Sequence, residues 1–378
     1  MPSFQPIFFC LCSISHVDSL SRCSLGDEGA WSTFLITTGT PPQQVQVLPS
    51  TEFSSTWVVA SNACSPTDAA NCTIARGGVY DYTKSSSWNI KANYRLGVLN
   101  TGYDSDSVSG TYGFDTLSIQ GKGTNASVNH QPIASFTTPK FFVGSLGLSD
   151  QPVDFQDGSD TSPSLLTSLK NENLLPSLSF GYTAGHHYRM YPQRISLVYN
   201  DNIVVEQQSV VVGSLTLGGY DASRFTPNDI SFTFAPNPLR QLVVGLQSVT
   251  YSDSKTETPL SSEGVLALVD STVPHLWLPE AACKAFVKAF GLIRDDINMI
   301  YVVNDTQHGI MLEKNPSVIF QLGESQNGGP SINITLPYAS FDLDGSYPLV
   351  KEHARLFPLQ RASDDNSITL GRTFFQEA

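Results

Sequence analysis

The feature that most constrains this chain is a pattern that occurs twice. A short apolar strand runs into a Ser/Thr-rich turn and then into a strand carrying a tryptophan, first as VLPSTEFSSTWVV (47–59) and again as LALVDSTVPHLWLP (266–279). Two halves drawn on one plan imply two related lobes. The length agrees, because 378 residues exceed one ordinary core and domains usually run to ~100–200 residues each.

The segments around the repeat read as short strands. WSTFLITTG, the Pro-Pro turn of GTPPQ and QVQVLPS predict a hairpin, since the apolar residues alternate with polar ones and the turn residues sit between them. TWVVA, GTYGFDTLSI, SLTLGG, QLVVGLQSVTY, VLALVD and ITLPYASFDL predict further strands, each bounded by Gly, Asn, Asp, Ser or Pro. Helical spacing is clear only in SPSLLTSLKNEN, with a Ser-Pro start, and in PEAACKAFVKAFG, with Pro in its first turn and Gly at its end. A boundary between the halves is expected near SRFTPND (223–229), after Gly218-Gly219.

Charge and cysteines narrow the function classes. Lys+Arg 21 against Asp+Glu 34 gives a net charge of −13, which repels phosphate backbones and argues against nucleic-acid partners. No apolar run reaches the ~20 residues needed for a membrane span. Cys64 and Cys72 close a short polar loop, SNACSPTDAANC, and are expected to form a disulfide of the kind kept in oxidising compartments. Sequons at Asn71, Asn125, Asn304 and Asn333 would take N-glycans on the secretory route. The opening MPSFQPIFFCLCSIS lacks a basic n-region and makes a poor signal peptide. Cys10, Cys12 and Cys23 lie in this doubtful leader, and Cys283 has no assigned partner.

Several elements, in chain order, resemble the pepsin family of aspartic proteases. They are GTPPQ with the turn Ser50-Thr51-Glu52 and Trp57, then YDSDSVSGTYGFDTL, VGSLGLS, SLTLGGYDASRF, LALVD-Ser271-Thr272 with WLP, and ITLGRTFFQEA. The chain is most similar to a catalytically degenerate, secreted, filamentous-fungal group of that family. The resemblance covers most of the chain and implies an all-β, bilobal pepsin-like aspartic-protease fold with a central cleft and few short helices. Residues 1–26 are a leader or poorly assigned N-terminus, 27–222 the N-terminal lobe and 223–378 the C-terminal lobe, expected to lack a final strand. The stretch 189–208 resembles an insertion such as a retained intron produces; its alternating Ile, Val and Tyr would otherwise make an extra hairpin.

The resemblance also implies where the chemistry sits. In that family each lobe supplies an Asp-Thr-Gly turn, and the two carboxylates share one proton because two like charges so close cannot both ionise. Here Ser50 occupies the first aspartate's place, Glu52 follows where a glycine is expected, and Asp270-Ser271-Thr272 forms the second turn. Only Asp270 remains of the dyad. Ser50 offers a hydroxyl and no comparable base, so proteolysis is expected to be very slow or absent. Thr51 and Ser271 keep middle hydroxyls able to cross-bond the turns, and Thr272, like Glu52, implies repacked turns. Glu52 reads as a solvated or lobe-bridging acid; the alternative is a substitute carboxylate reaching the cleft floor. Tyr103 matches the aromatic placed over the cleft, with Asp104 and Asp106 stiffening that hairpin or favouring basic ligands. Trp57 and Trp277 read as core.

His186 and His187 lack the spacing of a metal site, and no metal or cofactor is expected. The leading expectation is a secreted pseudoprotease that binds a peptide, protein or small molecule in its cleft. The alternatives are a non-proteolytic enzyme using Asp270 as its single general acid or base for a rearrangement or cyclisation, and a weak aspartic endopeptidase.

Overall fold

The computed structural model describes residues 17–23, 26–29, 31–66, 68–96, 108–121, 125–156, 158–185, 188, 213–238 and 240–378. Tyr103, Asp104 and Asp106, which the resemblance places over the cleft, the histidines 186 and 187, and the stretch 189–208 lie outside the described residues, as does the opening 1–16.

The architecture is all-β and bilobal, with a few short helices. A ten-stranded sheet carries the N-terminal half and an eight-stranded sheet the C-terminal half, with small two- and four-stranded sheets beside them. The predicted first hairpin pairs Ser32–Thr38 antiparallel with Gln43–Ser50. In Gln43–Ser50, Val45 and Val47 are buried while Gln44 and Gln46 are more exposed, the period of two that a half-buried strand requires. Val17–Cys23, inside the stretch read as a leader, is itself a strand, pairing with Ser214–Leu217 on one side and Ser32–Thr38 on the other.

Each lobe has its own core. Ile36, Val47, Val58, Ile119, Leu146 and Leu165 are buried in the first, whereas the second is aromatic, with Phe286, Phe290, Phe320, Phe341 and Phe357. The helix Glu280–Phe290 buries Ala282, Cys283, Phe286 and Phe290 along one face and ends on Gly291 at φ 63°, where a side chain would be strained. Its Pro279 is the N-cap residue, one step earlier than its expected place inside the first turn. Removing the Phe286 ring would cost about 3–5 kcal/mol, because it is fully buried.

Two sequence readings need correction. ITLPYASFDL is not one strand: the strand Ser331–Pro337 stops at Pro337, a 3-10 turn follows over Tyr338–Phe341, and Leu343–Gly345 begins anew in another sheet. A third longer helix, Asp305–Lys314, was not anticipated; it buries only His308 and Met311, so its apolar spacing is too sparse to read. Asn304 caps it by accepting a hydrogen bond from the Gln307 N–H at 2.8 Å.

The repeated motif occupies the centre of each lobe in the same arrangement. Gln43–Ser50 runs parallel to Gly144–Gly147, which lies antiparallel to Thr56–Val59. In the second lobe Val265–Val269 runs parallel to Thr369–Leu370, which lies antiparallel to Leu276–Leu278. In both, a crossing element threads between the two arms that flank a turn. The glycines there are needed for space: a Cβ on Gly147 would sit 2.6 Å from the Ser54 carbonyl carbon, and one on Gly371 would sit 2.3 Å from the His275 carbonyl oxygen.

Candidate active site

The crossing elements bring the two turns together at the joint between lobes. The Ser50 carbonyl accepts from the Leu148 N–H at 2.9 Å, and the Asp270 N–H donates to the Leu370 carbonyl at 3.1 Å. Four further bonds then join turn to turn. The Thr51 N–H donates to Ser271 Oγ at 3.1 Å, and the Ser271 N–H donates to Thr51 Oγ1 at 3.0 Å. Thr51 Oγ1 donates onward to the Val269 carbonyl at 3.2 Å, and Ser271 Oγ to the Pro49 carbonyl at 2.7 Å. Each hydroxyl thus accepts one bond and donates one across the joint, a double role that the short hydroxyl side chains of threonine and serine supply.

The outer positions differ. Ser50 is fully buried, its Oγ 2.7 Å from Thr272 Oγ1 and accepting from the Phe53 N–H at 3.1 Å. Thr272, standing where a glycine was expected, fills the space with its side chain and gives that hydroxyl a partner. Asp270 is buried, and its Oδ1 accepts from the Thr272 N–H at 2.8 Å. Burial raises the Asp270 carboxyl above the usual carboxylate range; the Thr272 hydrogen bonds and the charge of Arg372 oppose that rise. A carboxyl held this way keeps its proton to higher pH and can donate it.

Glu52 is only partly buried. Burial, followed by repulsion from Asp270, pushes its carboxyl up to about 8, with Arg240 pulling it back. Glu52 therefore carries a proton over much of the acidic range, and its proximity to Asp270 adds to that rise.

Several residues that the sequence reading passed over shape this site. Arg372, just after the crossing glycine, is buried and donates through Nη1 to the Ser271 and Thr272 carbonyls at 3.0 and 2.6 Å. Its Nη2 pairs with Glu28 at 2.5 Å, and its guanidinium lies over the Trp31 ring at 5.1 Å. A lone Arg in the apolar run ITLGRTFF was the available signal. Glu28 and the buried Asp27 stand on a tight Gly26–Gly29 bridge that also touches the second lobe, where the Ser346 N–H donates to the Asp27 carbonyl at 2.9 Å. Burial, then repulsion from Glu28, raises the Asp27 carboxyl. In the first lobe Arg76 is buried and donates to five carbonyls, among them Phe141 and Phe142, fixing the loop that enters the crossing strand.

Two pockets flank the turn pair. One is lined by Asp27, Glu28, Trp57, Phe141, Thr272 and Arg372. The other is lined by Thr51, Glu52, Phe180, Phe234, Gln241 and Leu242. Trp57 is 1% exposed, and its Nε1 donates to Ser55 Oγ at 2.8 Å, so it is core that shows one edge to the first pocket. Trp277 is buried away from both.

Cys64 and Cys72 form a disulfide, and Cys283 is a buried free thiol whose Sγ lies 3.4 Å from the Leu278 carbonyl. Asn71, Asn125, Asn304 and Asn333 are all exposed. Among the described residues no helix is long and apolar enough to cross a membrane.

Comparison with known proteins follows the same lines. The family described as eukaryotic aspartyl protease matches residues 33–378. Two Candida albicans sequences, each described as Secreted aspartic protease 7 and one from strain SC5314 / ATCC MYA-2876, are each 23% identical over 205 residues. That stretch is 54% of this chain and 30% of either relative, so the match spans less than a third of their length.

Proposed function

Because this chain belongs to the eukaryotic aspartyl protease family, we propose that its interlobe cleft binds a peptide or small molecule while the normal endopeptidase reaction is lost. The observation that carries this reading is the state of Ser50. Hydrolysis by such a site needs one ionised carboxylate to draw a proton from water and one protonated carboxyl to polarise the scissile carbonyl. Asp270 can hold a proton. Ser50 cannot supply the base, and its Oγ is already engaged by Thr272 and the Phe53 N–H. Losing positioned acid-base catalysis removes ~10²–10⁴-fold in rate.

The cross-bonded turns support retention of the scaffold, since four bonds hold the lobes together without either outer carboxylate. Secretion is part of the proposal; the disulfide, the exposed sequons and the description of the Candida relatives as secreted support it.

A second reading has its own observation. Asp270 is a lone, buried carboxyl raised above the usual carboxylate range, suited to serve as a single general acid on a small molecule. Incubation with denatured globin at acidic pH separates these readings from residual proteolysis. The expected result is no new peptides and no titration by a statine-type inhibitor. Stoichiometric inhibitor binding together with turnover that Asp270→Asn abolishes would overturn the proposal.

A further inference from the structure

The pocket beside Glu52 is built from both lobes, and its chemistry is uneven. Leu148 and Phe180 from the first lobe and Phe234 and Leu242 from the second give it apolar walls, and Leu178, 45% exposed, stands at its edge. Glu52 and Asp150 are the acidic residues of this lining. They are not equivalent. Asp150 Oδ1 already accepts from Gln151 Nε2 at 2.9 Å. Glu52 has no hydrogen bond or ion pair among the described residues; burial and the charges of Asp270 and Arg240 are what act on it. A carboxyl on apolar walls with no partner costs desolvation energy that a bound cation would offset.

We propose that this pocket takes an aliphatic ammonium group, with Glu52 as the residue that selects it. The walls fit the methylene stem of a lysine-type side chain or an alkyl diamine, while the ammonium meets Glu52. The inference deepens the cleft-binding reading above and rests on the cleft admitting a ligand. The neighbouring acids favour a cation: Asp150, after the crossing strand, lines the same pocket, and Asp270 of the second-lobe turn is close enough to act on Glu52. The opposing charge is Arg240, from the segment that precedes the strand Val243–Ser252, and its Nη1 is held by Asn366 Oδ1 at 3.0 Å.

Binding also carries a proton signature. Glu52 is pushed up to about 8, so below that pH an arriving ammonium displaces the proton of Glu52 into solvent. Affinity then rises with pH, by at most about tenfold per unit up to about pH 8, and levels off above it.

The test is calorimetric titration of the full chain between pH 5 and 8 with a peptide containing one lysine, the same peptide with norleucine in its place, and 1,5-diaminopentane. The expected result is at least tenfold tighter binding of the lysine peptide at pH 8, a preference that shrinks as pH falls and is lost in Glu52→Gln. Glu52→Asp should keep part of it, which separates loss of charge from loss of fold. Binding of the diamine alone supports a small amine as the source, and binding confined to the peptide supports a basic side chain. Equal binding of the two peptides, a preference unchanged in Glu52→Gln, or no binding of any probe overturns the proposal. Mass spectrometry of the same samples keeps the two claims apart: cleavage of the peptide would defeat the loss of proteolysis while leaving the cation preference to stand.

Discussion

The two turns at the lobe joint share a backbone plan and differ at their outer positions. Ser50-Thr51-Glu52 and Asp270-Ser271-Thr272 each follow a strand, each is crossed by a glycine-bearing element, and each gives its middle hydroxyl to the other. Yet the second has a carboxyl at its first position and is braced by Arg372, while the first has a serine there and carries an acid two residues later. The bonds across the joint come from the middle residues, so the first position can differ between the two turns while the joint persists.

The bracing of the second turn is the most sensitive point. Arg372→Met would remove the ion pair with Glu28 and the donor to the Ser271 and Thr272 carbonyls. Breaking such a pair costs about 3–5 kcal/mol, read as a lowered midpoint in urea. A shift near zero would mean that the second turn needs no brace and that the two turns are equivalent.

Thr51→Val removes a hydroxyl that both donates and accepts across the joint. Each buried group left unsatisfied costs about 1–3 kcal/mol, and Ser271→Ala should act alike. Because the two residues share bonds, the double variant should lose less than the sum of the singles. Strict additivity would break the idea of one reciprocal unit.

An effect seen only on changing pH sharpens the contrast in charge. The unfolded Glu52 carboxyl titrates near ~4.3, and the folded one is pushed up to about 8. Between those values the folded protein holds the extra proton, so stability is full below pH ~4 and falls as pH rises toward 8. The raised Asp27 carboxyl adds to the same trend. The melting temperature should therefore drop from pH 5 to pH 8, and Glu52→Gln should flatten the slope. An unchanged slope in that variant would place the charge strain elsewhere.

The smallest change is expected at Ser50 itself. Ser50→Ala gives up the contact with Thr272 and the acceptor of the Phe53 N–H, a net loss of about 0.5–1.5 kcal/mol per bond, measurable by chemical denaturation. A loss as large as that of Thr51→Val would make Ser50 a structural keystone.

Much of this was legible in the sequence because it is written in spacing. The strand, Ser/Thr turn and tryptophan recur, and the glycines at 147 and 371 mark where one backbone must pass close to another. What stayed hidden depends on distant partners. Nothing near Arg372 in sequence announces Glu28, 344 residues away, and the acidic Gly26–Gly29 bridge reads locally as a polar loop. The helix Asp305–Lys314 was invisible because only two of its residues turn inward. Glu52 reads locally as a solvated or lobe-bridging acid; what local sequence does not show is that burial raises its carboxyl and that residues of both lobes line the pocket beside it.

The central claim is that the missing carboxylate at position 50 silences peptide hydrolysis while the joint stays intact. Turnover of a quenched fluorescent peptide pool from pH 3 to 7 tests it most directly, with the wild-type chain beside Asp270→Asn and Glu52→Gln. The account predicts identical background rates for all three proteins at every pH. Wild-type turnover well above background that both substitutions abolish would contradict it, because Glu52 would then be serving as the second carboxyl of the pair.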